Sequence, residues 1–373
     1  MTIYVDVSAA VHSKAGLSRY AASLVNGLAP LLGDRLAFFQ NSLGRLGPLE
    51  GWPNVPTVGV PWGYKPWRGL VLARHLMRWP IRSMLPNAEL FHATEHLLPP
   101  VEGIPTVLTV HDLIYERFPE YHKRANYVYL RTAMPVFCKR ATAIIAVSES
   151  TKRDLMSEYA IPPDKVTVIP EAAAPTFCPQ PPEVIAAVRE RYHLPQRYIL
   201  AVGTIEPRKN LGRLVEACGP LFDANLVDAL VLVGSLGWLY QGFFEQIAQT
   251  PWQDRVLLPG FVREQDLPAV YSGALITAQS SLYEGFGFPP LEAMQHGTPV
   301  LSSRSGSLPE VLGKAARYTY INDPSIWAEA TQELLEDSSE RDRLRQAGLQ
   351  HVKQFDWATT ARQTWQAYSE VAS

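Results

Sequence analysis

Residues 198–211 read Tyr198-Ile199-Leu200-Ala201-Val202-Gly203-Thr204-Ile205-Glu206-Pro207-Arg208-Lys209-Asn210-Leu211. An unbroken apolar run leads to a glycine, a short polar loop with two adjacent cations, and then a helical pattern over 211–222. A strand without polar alternation is buried on both faces, which means a parallel sheet covered by helices. The same unit recurs in both directions. Upstream, residues 3–7, 106–110, 143–147 and 166–169 read as buried strands. Helices are expected at 18–32, 124–139 and 150–159, the last with Ser148 or Ser150 as N-cap. Downstream, strands at 229–233, 256–258, 275–278 and 299–302 alternate with helices near 241–249, 264–271 and 291–296, and 325–373 reads as helices only. Such repeats imply right-handed crossovers and doubly wound sheets.

Prolines 170, 175, 179, 181 and 182 crowd one short stretch without helical period. Proline fixes φ and removes a backbone donor, so this stretch is the expected linker between two halves. Ligands of open α/β sheets bind beyond the carboxyl ends of the strands, and two such halves would face each other across a cleft. The region 41–68, dense in Gly, Pro and Trp, reads as a long functional loop.

The formal net charge of −2 over 373 residues excludes a chain-wide basic footprint for nucleic acid and an acidic disordered chain. The halves differ in sign: residues 1–180 carry 18 basic and 14 acidic side chains, residues 181–373 carry 16 and 22. Three cysteines without a CxxC pair predict no disulfide framework and a reducing compartment. The first residues enter a strand-like run carrying Asp6, unlike a signal peptide, and no apolar span of ~20 residues occurs. A cytoplasmic protein is expected, with peripheral contact on the inner face of the cell membrane as a further reading.

The chemistry concentrates in four places. In Tyr283-Glu284-Gly285-Phe286-Gly287-Phe288-Pro289-Pro290-Leu291-Glu292, the glycines are expected to leave backbone N–H groups for an anion or sugar oxygens. Pro290 suits the first helical position, which would put Glu292 in the first turn, favoured by the helix dipole and able to clamp a ribose; a plain Gly-rich turn is the alternative. Arg208 and Lys209, between a strand end and a helix, suit a diphosphate, with a solvated pair as the alternative. No P-loop is present. Gly16, in the run from Lys14 to Arg19, is expected in a loop that lets backbone approach a ligand. His111 should end a strand on the ligand side. One lure is His92-Ala93-Thr94-Glu95-His96, an inverted zinc-protease pattern. Residues 90–92 read as a strand end and Pro99-Pro100 stops a helix, so the helical ligand geometry for zinc is missing.

Together these runs resemble family 4 of the retaining glycosyltransferases, the group 1 enzymes. The resemblance covers nearly the whole chain. It rests on Glu284-x7-Glu292, Gly203…Arg208-Lys209-Asn210, His111-Asp112-Leu113, Ala146-Val147-Ser148-Glu149-Ser150, Val168-Ile169-Pro170, Gly297-Thr298-Pro299-Val300 and Ser307-Leu308-Pro309-Glu310-Val311. It implies the GT-B fold: two Rossmann-like, doubly wound α/β domains facing a deep interdomain cleft. The acceptor-side domain would be 1–178, the nucleotide-sugar donor domain 183–356, and the last helix, 357–373, would pack back on the first domain.

The resemblance also implies roles. Arg208 and Lys209 would hold the donor diphosphate, with Gly203 in the same run. Glu292 would clamp the ribose, and Glu284 with the main chain of Gly285, Phe286 and Gly287 would address donor sugar and phosphate. Gly16 would lie under the diphosphate and His111 would touch the transferred sugar. Main chain at Gly260, Phe261 and Val262 would meet the base. Catalysis would need no metal and no cofactor. The 204–210 run with 111–120 is similar to the mannosyltransferase branch of bacterial surface polysaccharide synthesis. The implied reaction is hexosyl transfer, of the EC 2.4.1 type, from GDP-mannose or from UDP-glucose or another UDP-sugar, to a glycan or lipid-linked saccharide. A non-catalytic sugar-nucleotide-binding scaffold is the alternative of another class. Where the family often has Asn-Gly after Val168-Ile169-Pro170, this chain has Glu171-Ala172, so Glu171 is a candidate contact only. Residues 65–82 hold five basic side chains with Trp67 and Trp79, and are read as a contact for anionic lipid or as a solvated helix face.

Overall fold

The computed structural model describes residues 2–12, 15–42, 49, 51–81, 84–173, 178–320 and 322–372. Lys14 and Pro175, named above, and Arg82, the last of the five basic side chains in 65–82, lie outside them. The chain divides into two compact units. The first comprises residues 1–117, 124–172 and 355–373, the second residues 118–123 and 173–354.

In the first unit, the strands are β1 (Thr2–Asp6), β2 (Leu36–Asn41), β3 (Thr57–Val60), β4 (Ala88–Ala93), β5 (Thr106–Val110), β6 (Ala143–Ala146) and β7 (Val166–Val168). They form one sheet in the order β3-β2-β1-β4-β5-β6-β7, every described pair parallel. The β1, β5 and β6 runs are mostly apolar and nearly all buried because helices cover both faces, and each fully buried Val or Ile contributes about 1.5–3 kcal/mol. The core joins Phe39, Phe91, Trp67 and Phe137. Ser148 caps the helix Glu149–Tyr159 by accepting the Thr151 amide at 3.1 Å. The final helix, Trp357–Ala372, belongs to this unit. Its Thr360 hydroxyl donates to the Pro170 carbonyl at 2.9 Å, and its Tyr368 hydroxyl meets His92 Nδ1 at 2.6 Å.

The second unit holds β8 (Tyr198–Val202), β9 (Ala229–Val233), β10 (Val256–Leu257), β11 (Ile276–Gln279), β12 (Val300–Ser303) and β13 (Arg317–Thr319), ordered β10-β9-β8-β11-β12-β13 and again parallel. The helix Leu211–Asp223 buries Leu211, Leu214, Val215, Cys218, Leu221 and Phe222, a stripe at helical spacing in one core cluster with Ile199 of β8 and Leu230 and Leu232 of β9. From β8 the chain runs outward to β9 and β10, then returns to β11 on the other side. This reversal puts the carboxyl ends of β8 and β11 side by side, the position where such sheets bind ligands.

Several expectations need correction. Residues 41–68 are not one irregular loop: the edge strand β3 and the start of the helix Tyr64–Leu76 lie within them. Gly16 is not in a loop, because the helix Ala15–Leu32 begins before it and puts it in the first turn, exposed. Residues 118–123 group with the second unit, where the Phe118 ring stands 6.5 Å from Tyr283 and Trp238 Nε1 donates to the Tyr121 carbonyl. The helix Phe288–Gln295 starts two residues before Pro290. Proline is tolerated anywhere in the first turn, since those amides have no intrahelical partner, and Glu292 therefore sits in the second turn.

Candidate active site

The loops that follow β8 and β11 meet through an ion-pair cluster. Glu284 is buried. Its Oε1 accepts from Lys209 Nζ at 2.6 Å, Gln279 Nε2 at 2.8 Å and Ser281 Oγ at 2.5 Å, and its Oε2 accepts from Arg208 at 2.8 Å. Arg208 also donates to Glu206 Oε1 at 2.5 Å and to the Tyr283 carbonyl at 2.8 Å. Burial by itself would raise the carboxyl pKa of Glu284. The Arg208 and Lys209 charges, with the Lys209 and Ser281 hydrogen bonds, overcome that and bring it from 4.5 down to about 2. Glu206 goes the other way: its burial, against the pull of the same two cations, leaves its carboxyl pKa raised. The sequence reading took Arg208 and Lys209 as open cations and did not foresee that Glu284 ties both to one place.

A second brace comes from residues after β12. The Ser307 hydroxyl donates to the Glu284 carbonyl at 3.0 Å and the Phe286 carbonyl at 2.8 Å, and its amide donates to the Glu284 carbonyl at 3.1 Å. Gly306 permits this approach: its φ is +57°, and a Cβ there would lie 2.4 Å from the Glu284 carbonyl oxygen. Gly287, with φ +106°, similarly leaves no room for a side chain beside Leu308. Gln279, Ser281 and Gly306 are thus neighbours of Glu284 that the sequence did not single out, and Ser307 stood out only as part of a family run. The only local signal is a small, polar composition after β11 and β12.

The remaining candidates are spread. Gly203 follows β8 directly, where a Cβ would stand 3.3 Å from Lys209 Cε, so it shares the hollow lined by Thr204, Lys209, Gln279 and Ser281. Gly285 and Phe286 are buried in the Glu284 loop. Glu292 is 1% exposed, and its Oε2 accepts the Tyr271 hydroxyl at 2.9 Å. Gly260 stands in open space with φ +74°, Val262 is half-buried, and Phe261 is 86% exposed.

In the first unit, His111 follows β5 and is buried. Its Nδ1 lies 2.8 Å from Glu171 Oε1 and its Nε2 2.8 Å from the Thr94 carbonyl. The expected lure is a set of satisfied side chains. His92, on β4, meets Tyr368 and Thr109; Glu95 accepts the Tyr64 hydroxyl; His96 Nε2 accepts the His111 amide at 3.2 Å. Residues 65–82 split: Trp67 is in the core, whereas Leu76, Met77 and Trp79 are each 61% exposed beside Arg74 and Arg78. Among the described residues, no helix is long and apolar enough to cross a membrane.

Residues 188–351 match the model of the group 1 glycosyl transferases, and residues 15–175 match that of glycosyltransferase family 4. O-antigen chain mannosyltransferase B of Escherichia coli is 32% identical over 264 residues, 70% of this chain and 69% of that protein. The chain belongs to the family 4, group 1 glycosyltransferases. A serotype-specific mannosyltransferase WbdA of Escherichia coli is 30% identical over 277 residues, 70% of this chain but only 33% of that protein. Sucrose-phosphate synthase of Thermosynechococcus elongatus superposes with a TM-score of 0.80 at 21% identity, covering 100% of this chain and 99% of that one. HepE of Anabaena, solved with UDP-glucose, gives 0.75 at 18% identity over 99% and 100%. The fold is GT-B, and this family 4 glycosyltransferase carries its two parallel sheets, of seven and six described strands.

Proposed function

We propose that this glycosyltransferase moves a mannosyl residue from GDP-mannose to a glycan or lipid-linked saccharide acceptor, with retention of anomeric configuration, during synthesis of a surface polysaccharide. The observation that carries the reading is the cluster of Arg208, Lys209 and Glu284 at the switch point between β8 and β11. The choice of mannose is supported by the two relatives reported above, both named mannosyltransferases. A UDP-sugar is the second reading, favoured by the whole-chain likeness to HepE, which is solved with UDP-glucose.

Cleaving the bond between sugar carbon and phosphate oxygen loads negative charge on the departing nucleoside diphosphate. Cations already fixed in a partly dry site stabilise that charge more in the transition state than in the ground state, with no reorganisation at the moment of reaction. Glu284 is the counter-ion that holds Arg208 and Lys209 in place before a donor arrives. Glu292 addresses the ribose. The sugar becomes oxocarbenium-like, the acceptor hydroxyl attacks from the face the phosphate leaves, and the phosphate oxygen takes its proton. The two cations meet the diphosphate charge, so the reading calls on no metal and no cofactor. Leu76, Met77 and Trp79 beside Arg74 and Arg78 are proposed to touch an anionic membrane surface, where apolar insertion and headgroup attraction act together.

The test is turnover of GDP-mannose by the purified protein with a mannose-containing saccharide, the new linkage read by NMR. An α-linked mannoside from the α-linked donor supports the proposal. Donor binding without transfer to any acceptor would replace it with the scaffold reading, and inverted product would overturn retention.

A further inference from the structure

His111 touches two acceptors and no donor through its ring. Nδ1 faces the Glu171 carboxylate at 2.8 Å and Nε2 faces the Thr94 backbone carbonyl at 2.8 Å. A carbonyl oxygen cannot donate, so Nε2 carries a hydrogen. A carboxylate is acceptor-only when ionised, so Nδ1 carries one as well. The other way to satisfy Nδ1 is a protonated Glu171, but an imidazole is the stronger base by roughly a hundredfold in water, and the shared proton favours the ring.

The neighbours are arranged around one charged ring. His96 Nε2 accepts the His111 amide, which puts any His96 proton on Nδ1, and burial lowers its pKa to about 4. His92 is tied to Tyr368 and Thr109, and burial with the His111 charge lowers its pKa to about 3. From the helix Ala15–Leu32, Tyr20 packs its ring edge-on at 4.7 Å, and its hydroxyl pairs with Thr109. From the helix Glu149–Tyr159, Thr151 donates to the His111 carbonyl at 3.2 Å. Burial works against a charge on His111 too, yet Glu171, Thr94 and Asp112 outweigh it, and its pKa stands above 6.5. Of three neighbouring histidines, two are held below the ordinary imidazole value and one above it.

We infer that Glu171 is a positioning residue that, with the Thr94 carbonyl, holds His111 as a fixed imidazolium donating from both ring nitrogens. Removing either proton would leave a lone pair facing a buried oxygen, so the ring neither takes nor gives a proton during turnover. In the proposed reaction this excludes His111 as general acid or base and leaves the leaving phosphate to take the acceptor's proton; that consequence rests on the proposed function, whereas the charge state does not. The Glu171 that replaces an expected Asn is then a working member of the site.

The experiment is long-range proton–nitrogen NMR on the full chain labelled with 15N-histidine, without donor or acceptor. The His111 signals are assigned by their loss in His111→Asn. The expected result is two protonated ring nitrogens from pH 6 to pH 8.5. In Glu171→Gln the ring should become a neutral tautomer by pH 8, and Glu171→Asp should restore the cation in part. A neutral His111 ring at pH 7 in the unaltered protein overturns the inference, as does a cation in Glu171→Gln that persists to pH 8.5. A companion pH–rate profile of Glu171→Gln should gain an alkaline limb below pH 8, with at least tenfold less turnover at pH 8 than at its optimum, while the unaltered enzyme shows no such limb. An NMR result as expected with no transferase activity toward any sugar nucleotide would sink the functional reading alone.

Discussion

Glu284→Gln removes one charge and keeps the shape of the side chain. Folding brings the Glu284 pKa from 4.5 to about 2, and a shift of one unit corresponds to about 1.4 kcal/mol, so ionised Glu284 contributes roughly 3 kcal/mol of stability at pH 7. The folded pKa is depressed, so this contribution is fully present above about pH 4.5 and is lost as pH falls towards 2. Gln accepts a hydrogen bond but leaves Arg208 and Lys209, both mostly buried, without a counter-charge except Glu206. Urea unfolding followed by circular dichroism should therefore show Glu284→Gln less stable by about 3 kcal/mol at pH 7. The gap should narrow by about half by pH 3. Equal stability at pH 7, or a gap that does not change with pH, would refute the role of Glu284 as the counter-ion of the cluster. A truncation to Ala also opens a void, so it should cost at least as much; loss of activity in that variant has to be read beside its folding.

Lys209→Met should lower kcat/KM by roughly 10²–10³-fold in a donor-turnover assay, the usual cost of removing one fixed charge from a developing anion. Gly306→Ala pushes a methyl against the Glu284 carbonyl and strains a left-handed residue; calorimetry should show a loss of about 1–3 kcal/mol together with weaker transfer. Trp79→Ser with Arg74→Gln and Arg78→Gln should abolish flotation with vesicles rich in anionic lipid while leaving turnover of a water-soluble acceptor unchanged; flotation that does not depend on anionic lipid would remove the membrane contact.

Three interior strands were legible to the residue, whereas β1 and β11 were read one residue off and β4 only by its end. Thr106–Val110, Tyr198–Val202 and Ala229–Val233 are buried, mostly apolar runs because helices cover both of their faces. The edge strands β3 and β13 were not. They are short and half-polar, and β3 sits among glycines and prolines, so nothing local separates it from a loop. The helix Pro182–Tyr192 was missed because its leading proline was read as linker, although proline at a first helical position is also a start signal. At the site, residue types and their loops could be read, but not their pairing. Arg208 and Glu284 are 76 positions apart and meet only because β8 and β11 are neighbours, a fact of sheet order that no local pattern carries. Glu171 was visible as a departure from the family pattern; its contact with His111, 60 positions earlier, was not.

The most direct measurement is calorimetric titration of GDP and UDP into the unaltered protein and into Lys209→Met. At least one of the two nucleotides should bind the unaltered protein and bind the variant at least tenfold more weakly, with both proteins folded. Equal affinity in the two, or no binding of either nucleotide to the unaltered protein, would contradict the assignment of the β8–β11 cluster to the donor diphosphate.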